Sequence, residues 1–157
     1  MRFNSVSVEK YDAAFLRGAI RILQNYNSTL GDKPGAFLFY TLEPFSSKYF
    51  DYSQGGAYPH FPSPNPLYPT VIWFGWELPL DDDAFVNGII SITKRIKRMA
   101  IANGQNIGGS KQILYPNYAM ADTPLKNMYG ENLKRLRKIR KAWDPKNIMY
   151  LTGGFKF

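Results

Sequence analysis

Two stretches of aromatic and β-branched residues limit the folds that this chain can adopt. They read AFLFYTLEP over 36–44 and TVIWFGWEL over 70–78, and residues of these types favour extended strands over helices. Between them, 45–68 is so rich in glycine and proline that it predicts an irregular connection with neither a helix nor a central strand. The chain is therefore expected to build a sheet around these two strands.

Side-chain alternation gives each strand two distinct faces, because successive residues of a strand point to opposite sides. In the first strand, Leu38, Tyr40 and Leu42 share one side. The opposite side is rich in aromatic rings, and a carboxylate stands at its end. Its residues are Phe37, Phe39, Thr41 and Glu43; in the second strand, Val71, Trp73, Gly75 and Glu77 alternate with Ile72, Phe74, Trp76 and Leu78.

Three further segments carry apolar residues at the spacing of an amphipathic helix. The first covers 12–26 with Asp12 as its N-cap, the second runs from the acidic stretch at 79–83 to about 102, and the last covers about 129–143. An additional strand is predicted at 3–9. Three strands and three helices are therefore expected.

The order of these elements predicts the fold class. Strands and helices do not alternate in the regular way of a parallel α/β sheet, so an α+β fold is expected, with an antiparallel β-sheet covered on one face by α-helices. We expect a single unit over 1–157, in which 1–110 form the sheet and its helices. Residues 111–157 are expected to form a return segment with the C-terminal helix.

The composition excludes several classes of function. The chain has no cysteine, which excludes a disulfide framework, a thiolate nucleophile and a cysteine-ligated metal. Its single histidine, His60, argues against a histidine metal site or a Ser-His-Asp triad, so no metal is expected. No apolar run reaches the roughly 18 residues of a membrane span, and the start of the chain lacks a secretory signal. A cytoplasmic location is therefore expected.

A formal net charge of +8 raises the question of a polyanionic partner. The basic residues concentrate at 94–98 and 134–141, inside two predicted helices, where a charge run is typical of a solvated face. In the last helix the inward stripe is predicted to consist of Leu133, Leu136, Ile139 and Trp143. No helix-turn-helix, zinc-finger or RNA-recognition signature is present, so no nucleic-acid partner is expected. The loop 104–111 also lacks the register of a phosphate-binding loop.

Three residues are candidates for acid–base chemistry on a small molecule. Glu43 and Glu77 stand at the ends of aromatic strands, where a carboxylate that points inward becomes a usable general acid or base. His60 lies in the aromatic connection and is a candidate proton carrier. Solvent-facing carboxylates at strand ends and an incidental loop histidine are the alternative interpretations.

The C-terminal third contains a series of motifs in a fixed order. A Y-x-N-Y segment at 115–118 is followed by Y-G-x-N-x-x-R-L at 129–136, D-P-x-N at 144–147 and G-G-F-K at 153–156. With these motifs the chain resembles the FAD-linked oxidases of the berberine-bridge type, in particular fungal members of secondary-metabolite pathways. The resemblance is close over 70–157 and loose over 1–69.

The resemblance implies a substrate domain whose open sheet face lines the site beside the flavin ring. It implies that Tyr115, Asn117 and Tyr118 are flavin-side and substrate-side contacts. The R-x-G-G-H segment of the family's flavin-binding domain is not found in these residues. No cofactor is therefore expected, and FAD only if a partner chain supplies the flavin domain.

An uncovered aromatic sheet face suggests a protein that binds a hydrophobic metabolite and pairs with a second copy. The leading hypothesis is a flavin-independent cyclase or isomerase of natural-product biosynthesis, with Glu43, Glu77, His60 and Tyr118 as catalytic candidates. The substrate-binding candidates are Phe37, Phe39, Thr41, Tyr58, Trp73, Tyr115 and Asn117. The alternatives are one half of a split FAD-dependent oxidoreductase, and a non-catalytic ligand-binding or assembly protein.

Overall fold

Three antiparallel strands form the sheet, and the longest of them is central. The computed structural model describes residues 1–52, 55–59 and 67–157. The strands are β1 (Arg2–Val8), β2 (Phe37–Leu42) and β3 (Tyr68–Gly75), in the order β1-β3-β2. The two strands predicted at 36–44 and 70–78 are therefore neighbours, and the strand predicted at 3–9 is the other edge.

Two long helices cover one face of this sheet. They are α1 (Ala13–Leu30) and α2 (Asp82–Ala102), and α1 lies over β2 while α2 lies over β1 and β3. The helix α1 starts where predicted, because the Asp12 carboxylate accepts a hydrogen bond of 2.9 Å from the Phe15 amide. It continues four residues beyond the predicted end at 26.

The core lies between this helix pair and the sheet. It is built from the strand residues that point toward the helices and from one apolar stripe of each helix. Burial of this apolar surface holds the two layers together. The fully buried side chains at its centre are Val6, Val8, Phe15, Ile72, Phe74, Phe85, Ile89, Ile92 and Ile96. The predicted α+β fold, with an antiparallel sheet covered on one face, is confirmed.

The C-terminal part differs from its prediction in two ways. The helix expected at 129–143 is α4 (Asn132–Trp143), and a short helix that was not predicted, α3 (Leu125–Tyr129), precedes it; Gly130, with a φ of +49°, separates the two. The predicted inward stripe is also wrong in its second half. Leu133 is buried and Leu136 is partly buried, whereas Ile139 and Trp143 are 41% and 87% exposed.

This exposure follows from what α4 packs against. Its first two turns contact a small second core built around Met128 and Tyr129, with Phe155 and Phe157 at its margin. Within the described residues nothing covers the side chains of Ile139 and Trp143 in the later turns. Together with Ile148, Met149, Tyr150 and Leu151, they leave an apolar surface exposed.

The connection between β2 and β3 is described only in part. A six-residue 3-10 helix occupies Ser47–Tyr52, where the glycine- and proline-rich composition predicted irregular chain. His60 lies outside the described residues. Among the helices of the described part, none combines the length and the apolarity needed to cross a lipid bilayer.

Candidate functional site

The face of the sheet that the two long helices leave open carries four clustered rings, which we call the aromatic face: Phe3, Phe37, Phe39 and Trp73. Trp73 is at its centre, with ring centroids 5.9 Å from Phe3, 5.4 Å from Phe37 and 5.1 Å from Phe39. Strand register explains the cluster, because Trp73 lies opposite Phe3 on one side and Phe39 on the other. Phe39 is 50% exposed, so part of this aromatic surface faces solvent.

Two features of the aromatic face were not predicted from the sequence. Phe3 was not among the candidate residues, although alternation along 3–9 places it on the same side as Ser5 and Ser7. The indole Nε1 of Trp73 is buried and has no hydrogen-bond partner among the described residues. A buried donor without a partner is energetically costly, so this atom is a candidate contact for a bound molecule.

The part of 111–157 that precedes α3 crosses the remainder of the open face. From here on, return segment means residues 112–123 of this part. It is fixed to β1, because the Ser7 hydroxyl donates to the Ile113 carbonyl oxygen at 2.5 Å and Gln112 Nε2 donates to the Ser7 carbonyl oxygen at 2.9 Å. Ser5, Ser7 and Val71 are buried on this half of the face. The open face is thus divided into a covered polar half and an aromatic half.

Three tyrosines contact one another where the return segment meets the end of β2, and we call them the tyrosine cluster: Tyr58, Tyr115 and Tyr118. The ring centroid of Tyr115 lies 5.5 Å from that of Tyr58 and 5.2 Å from that of Tyr118, and in both pairs the ring planes are nearly perpendicular. Asn117 Nδ2 donates to the Tyr115 hydroxyl at 2.8 Å. The Y-x-N-Y segment therefore forms a compact polar and aromatic group, in a 3-10 turn at Pro116–Tyr118.

A hydrogen bond joins this cluster to the end of β2. The Tyr118 hydroxyl donates to Glu43 Oε1 at 2.9 Å, across 75 residues of sequence. The Glu43 backbone is held in turn, since its amide donates to the Pro69 carbonyl oxygen and its own carbonyl oxygen accepts from the Tyr11 hydroxyl, each at 3.2 Å. Tyr11 was not predicted, and nothing in its sequence context distinguishes it from a core residue.

Two tyrosines of this cluster, Tyr58 and Tyr118, are held in their protonated form at neutral pH. Burial raises the pKa of Tyr58 to about 12, with the neighbouring Tyr115 adding to the rise and a hydrogen bond to Ser7 opposing it. Burial also raises the pKa of Tyr118, as do its hydrogen bond to Glu43 and the negative charge of that carboxylate. Tyr118 therefore keeps its proton and donates it in a hydrogen bond to a carboxylate.

The two predicted carboxylates do not come together. Glu77 is exposed beyond the end of β3, where its amide donates to the Pro34 carbonyl oxygen at 3.0 Å and its Cβ lies beside Gly35. Glu43 follows the end of β2. Because the two strands are antiparallel, their C-terminal residues lie at opposite ends of the strand pair. Thr41 is exposed between Phe39 and Glu43, on their side of the strand.

A cavity of about 410 Å³ lies along β1, at the opposite edge of the sheet from β2. Residues of β1, α2, the return segment and α3 line it, including Asn4, Lys94, Lys97, Gln112 and Asn127. None of these residues was predicted, since single polar residues at such spacing give no signal in the sequence. No three His, Cys, Asp or Glu side chains of the described residues are grouped so that they could hold a metal ion.

Comparison with known proteins bears on the segment that contains the tyrosine cluster. Residues 114–153 match the family described as berberine and berberine-like. The chain is also similar to the FAD-linked oxidoreductase pgmH of Aspergillus terreus, at 32% identity over 77 residues, which are 46% of this chain and 16% of that protein. The chain thus matches only about a sixth of the length of this relative.

No solved structure matches the chain significantly. The family match includes Tyr115, Asn117 and Tyr118, and it extends through α4 to Gly153. The resemblance predicted from the ordered motifs of the C-terminal third is therefore confirmed: over 114–153 this chain carries a berberine-like segment, and it is similar in part to an FAD-linked oxidoreductase.

Proposed function

We propose that this chain is the substrate-side part of an FAD-linked oxidoreductase that acts on a hydrophobic metabolite. The observation that carries the proposal is the hydrogen bond from Tyr118 to Glu43, which places a hydroxyl donor and a carboxylate at the end of β2, on the side of the strand that also carries Phe39. The tyrosine of this pair lies inside the berberine-like segment.

The residues present fit one part of FAD and not the whole of it. An aromatic surface with an unpartnered indole N–H suits one side of an isoalloxazine ring, which has polar atoms along its edge. The loop 104–111 lacks the register of a diphosphate-binding loop. In this proposal Trp73, Tyr115, Asn117 and Tyr118 lie beside the ring, and another polypeptide segment holds the nucleotide.

When bound, the flavin supplies the redox chemistry by accepting a hydride equivalent from the substrate. The side chains of this chain bind and orient the substrate and handle its proton. An apolar substrate packs on the aromatic face, where Phe39 and Trp73 exclude water from one of its sides. A substrate hydroxyl hydrogen-bonds to the oxygen of Tyr118, and its proton passes through that oxygen to Glu43.

Flavin binding by the purified chain tests this proposal. Equilibrium dialysis against riboflavin and against FAD is expected to show weak binding of both, because only the ring is contacted. Trp73→Leu and Phe39→Ala should weaken binding of both at least several-fold. Tyr52→Ala is the matched control. It removes an 84% exposed ring from the connection between β2 and β3, and it should bind flavin like the unaltered chain.

A second candidate follows from the same pair of side chains. Tyr118 and Glu43 can donate and accept a proton without any redox group, and the aromatic face can hold a polyene in one folded shape. On that basis the chain is a non-redox cyclase or isomerase that needs no cofactor. Turnover of a hydrophobic polyene without flavin, lost in Tyr118→Phe, would favour this candidate over the first.

Absence of both activities would favour the third class, a ligand-binding or assembly protein. In that case a hydrophobic ligand should still bind to the aromatic face and protect it. The affinity of such a ligand should fall in Phe39→Ala and stay unchanged in Tyr118→Phe, since only packing is involved. The three outcomes therefore separate flavin-dependent, flavin-independent and non-catalytic functions.

A further inference from the structure

The outer edge of β2 has backbone hydrogen-bonding groups that nothing in the described part of the chain uses. The Glu43 amide donates to the Pro69 carbonyl oxygen, which continues the ladder between β2 and β3 by one residue. In an antiparallel ladder the bonded positions alternate, so Phe37, Phe39 and Thr41 bond to β3 and the residues between them point their N–H and C=O groups away. These outward residues are Leu38, Tyr40 and Leu42.

Within the described residues, this edge has none of the features by which proteins normally prevent strand addition. Over Phe37–Leu42 the sequence is FLFYTL, with no charged residue and no proline. The register with β3 runs without interruption from Phe37 to Leu42, so no bulge twists the edge away. A flat, uncharged strand with free donors and acceptors is complementary to another strand.

The helix beside this edge is also apolar on the flank that faces away from α2, where Leu16 and Leu23 are partly buried against the core and Ile20 is exposed. A Cβ at Gly18 would lie 2.9 Å from Met99 Sδ, which fixes the side of α1 that contacts α2. At 3.6 residues per turn, Leu16, Ile20 and Leu23 lie roughly 150° around the helix from Gly18, above the β2 edge. Ile20 is 55% exposed there.

Charge indicates which partner this surface fits. The chain carries a net charge of +8, so two copies repel each other over most orientations. The flank of α1 formed by Leu16, Ile20, Leu23 and Asn27, together with all six residues of β2, is uncharged. A second copy can therefore approach this side without bringing like charges close together.

We propose that β2 pairs antiparallel with β2 of a second copy, which gives a two-fold symmetric dimer with a continuous six-stranded sheet. An antiparallel strand pair is its own complement under a two-fold axis, so each free N–H of one copy meets a free C=O of the other. The α1 helices of the two copies then meet through Leu16, Ile20 and Leu23. The apolar contact covers the exposed side of Ile20.

The dimer has a consequence for the open face. Phe39 and Thr41 of both copies lie on the same side of the joined sheet, next to the shared axis. The two aromatic faces become one surface that both copies line. This inference stands on the edge and the helix flank, so it does not depend on the proposed function.

The mass of the full chain in solution, measured by sedimentation over a range of concentrations, tests the proposal. A dimer of about 36 kDa is expected, twice the 18.0 kDa of the chain. Ile20→Lys should be monomeric at the same concentrations. Ile101→Lys is the matched control, because Ile101 is an isoleucine of similar exposure, at 44%, near the end of α2, and its variant should remain dimeric.

Hydrogen exchange identifies the contact. The amides of Leu38, Tyr40 and Leu42 should exchange slowly in the unaltered chain and much faster in Ile20→Lys, while the amides of β1 exchange alike in both. A chain that is monomeric at every concentration would overturn the proposal. So would a dimer that keeps fast exchange at these three amides, since its contact would then be elsewhere, or an Ile20→Lys variant that dimerises as strongly as the unaltered chain.

Discussion

Gly75 shows how one missing side chain shapes the open face of the sheet. A Cβ at this position would lie 2.0 Å from Cε1 of Phe37, the residue directly opposite on β2. The Phe37 ring occupies that space and packs edge-on against Trp73, with ring centroids 5.4 Å apart. The aromatic face therefore depends on a residue that has no ring itself.

Gly75→Val is expected to displace the Phe37 ring and to lower the free energy of unfolding by about 1–3 kcal/mol, because the ring and the new methyl groups cannot share the space. Urea unfolding measures the loss, and near-ultraviolet circular dichroism reports the disturbed rings. Gly153→Val is the control, since a Cβ at Gly153 meets nothing within 4 Å. Equal losses in both variants would contradict this account.

The Tyr118 hydroxyl is the other residue-scale feature that can be tested without a substrate. Tyr118→Phe removes its bond to Glu43 and is expected to lower the free energy of unfolding by about 0.5–1.5 kcal/mol, as for a typical hydrogen bond. Combined with Glu43→Ala, the loss should be smaller than the sum of the two single losses, because each substitution removes the same hydrogen bond. Tyr52→Phe, at an 84% exposed tyrosine, should change nothing, and strict additivity would argue against a direct bond.

An ion pair links the segment between α1 and β2 to the segment that precedes α2. Lys33, between α1 and β2, contacts Asp81, just before α2, at 2.6 Å. Asp81 is only 3% exposed, so its charge depends on this partner. The sequence places Asp81 in an acidic stretch that suits a helix start, yet its side chain makes no capping hydrogen bond.

Lys33→Met is expected to cost about 1–3 kcal/mol of unfolding free energy, because it leaves a buried carboxylate unpaired. Adding Asp81→Asn should restore part of the loss, since the amide carries no charge. Thermal and urea unfolding of the single and double variants measure this. If the double variant is less stable than Lys33→Met alone, the unpaired charge is not the cause.

At the scale of elements, the sequence pattern predicted where most helices and strands lie, but not what packs against each of them. Alternation and helical spacing gave β1, β2, β3, α1 and α2 to within a few residues, since these elements bury one regular side. They failed in α4, where Ile139 and Trp143 have the spacing of a core stripe and no core to meet. Periodicity shows which residues share a side of a helix, and it does not show whether anything covers that side.

The candidate site divides in the same way. The family motif and the strand alternation together indicated Glu43 and Tyr118, which the structure joins. Glu77 was grouped with Glu43 because each follows the end of a predicted strand. The two strands are antiparallel, however, so Glu77 lies at the opposite end of the strand pair from Glu43. The pairing of Tyr118 with Glu43 spans 75 residues, and no local pattern encodes a contact of that length.

The buried tyrosines affect the whole molecule at high pH. The pKa of Tyr58 is about 12 in the folded chain, above its ordinary value of 10.0, so folding favours the protonated form. The stability that Tyr58 contributes is complete below pH 10 and is lost as the pH rises towards 12. Urea unfolding in this range should show a decline that is shallower in Tyr58→Phe. Tyr52→Phe should decline like the unaltered chain, and identical slopes in all three would contradict the assignment.

The three tryptophans lie in three different surroundings, and this makes the molecule a natural fluorescence reporter. Trp76 stacks on Phe85, with centroids 4.8 Å apart, and donates from Nε1 to Asp82. Trp73 is enclosed by rings, whereas Trp143 is 87% exposed. Emission from Trp143 should be red-shifted and readily quenched by iodide. Any molecule that covers the end of α4 would shift this emission to the blue, while occupancy of the aromatic face would change only the signal of Trp73.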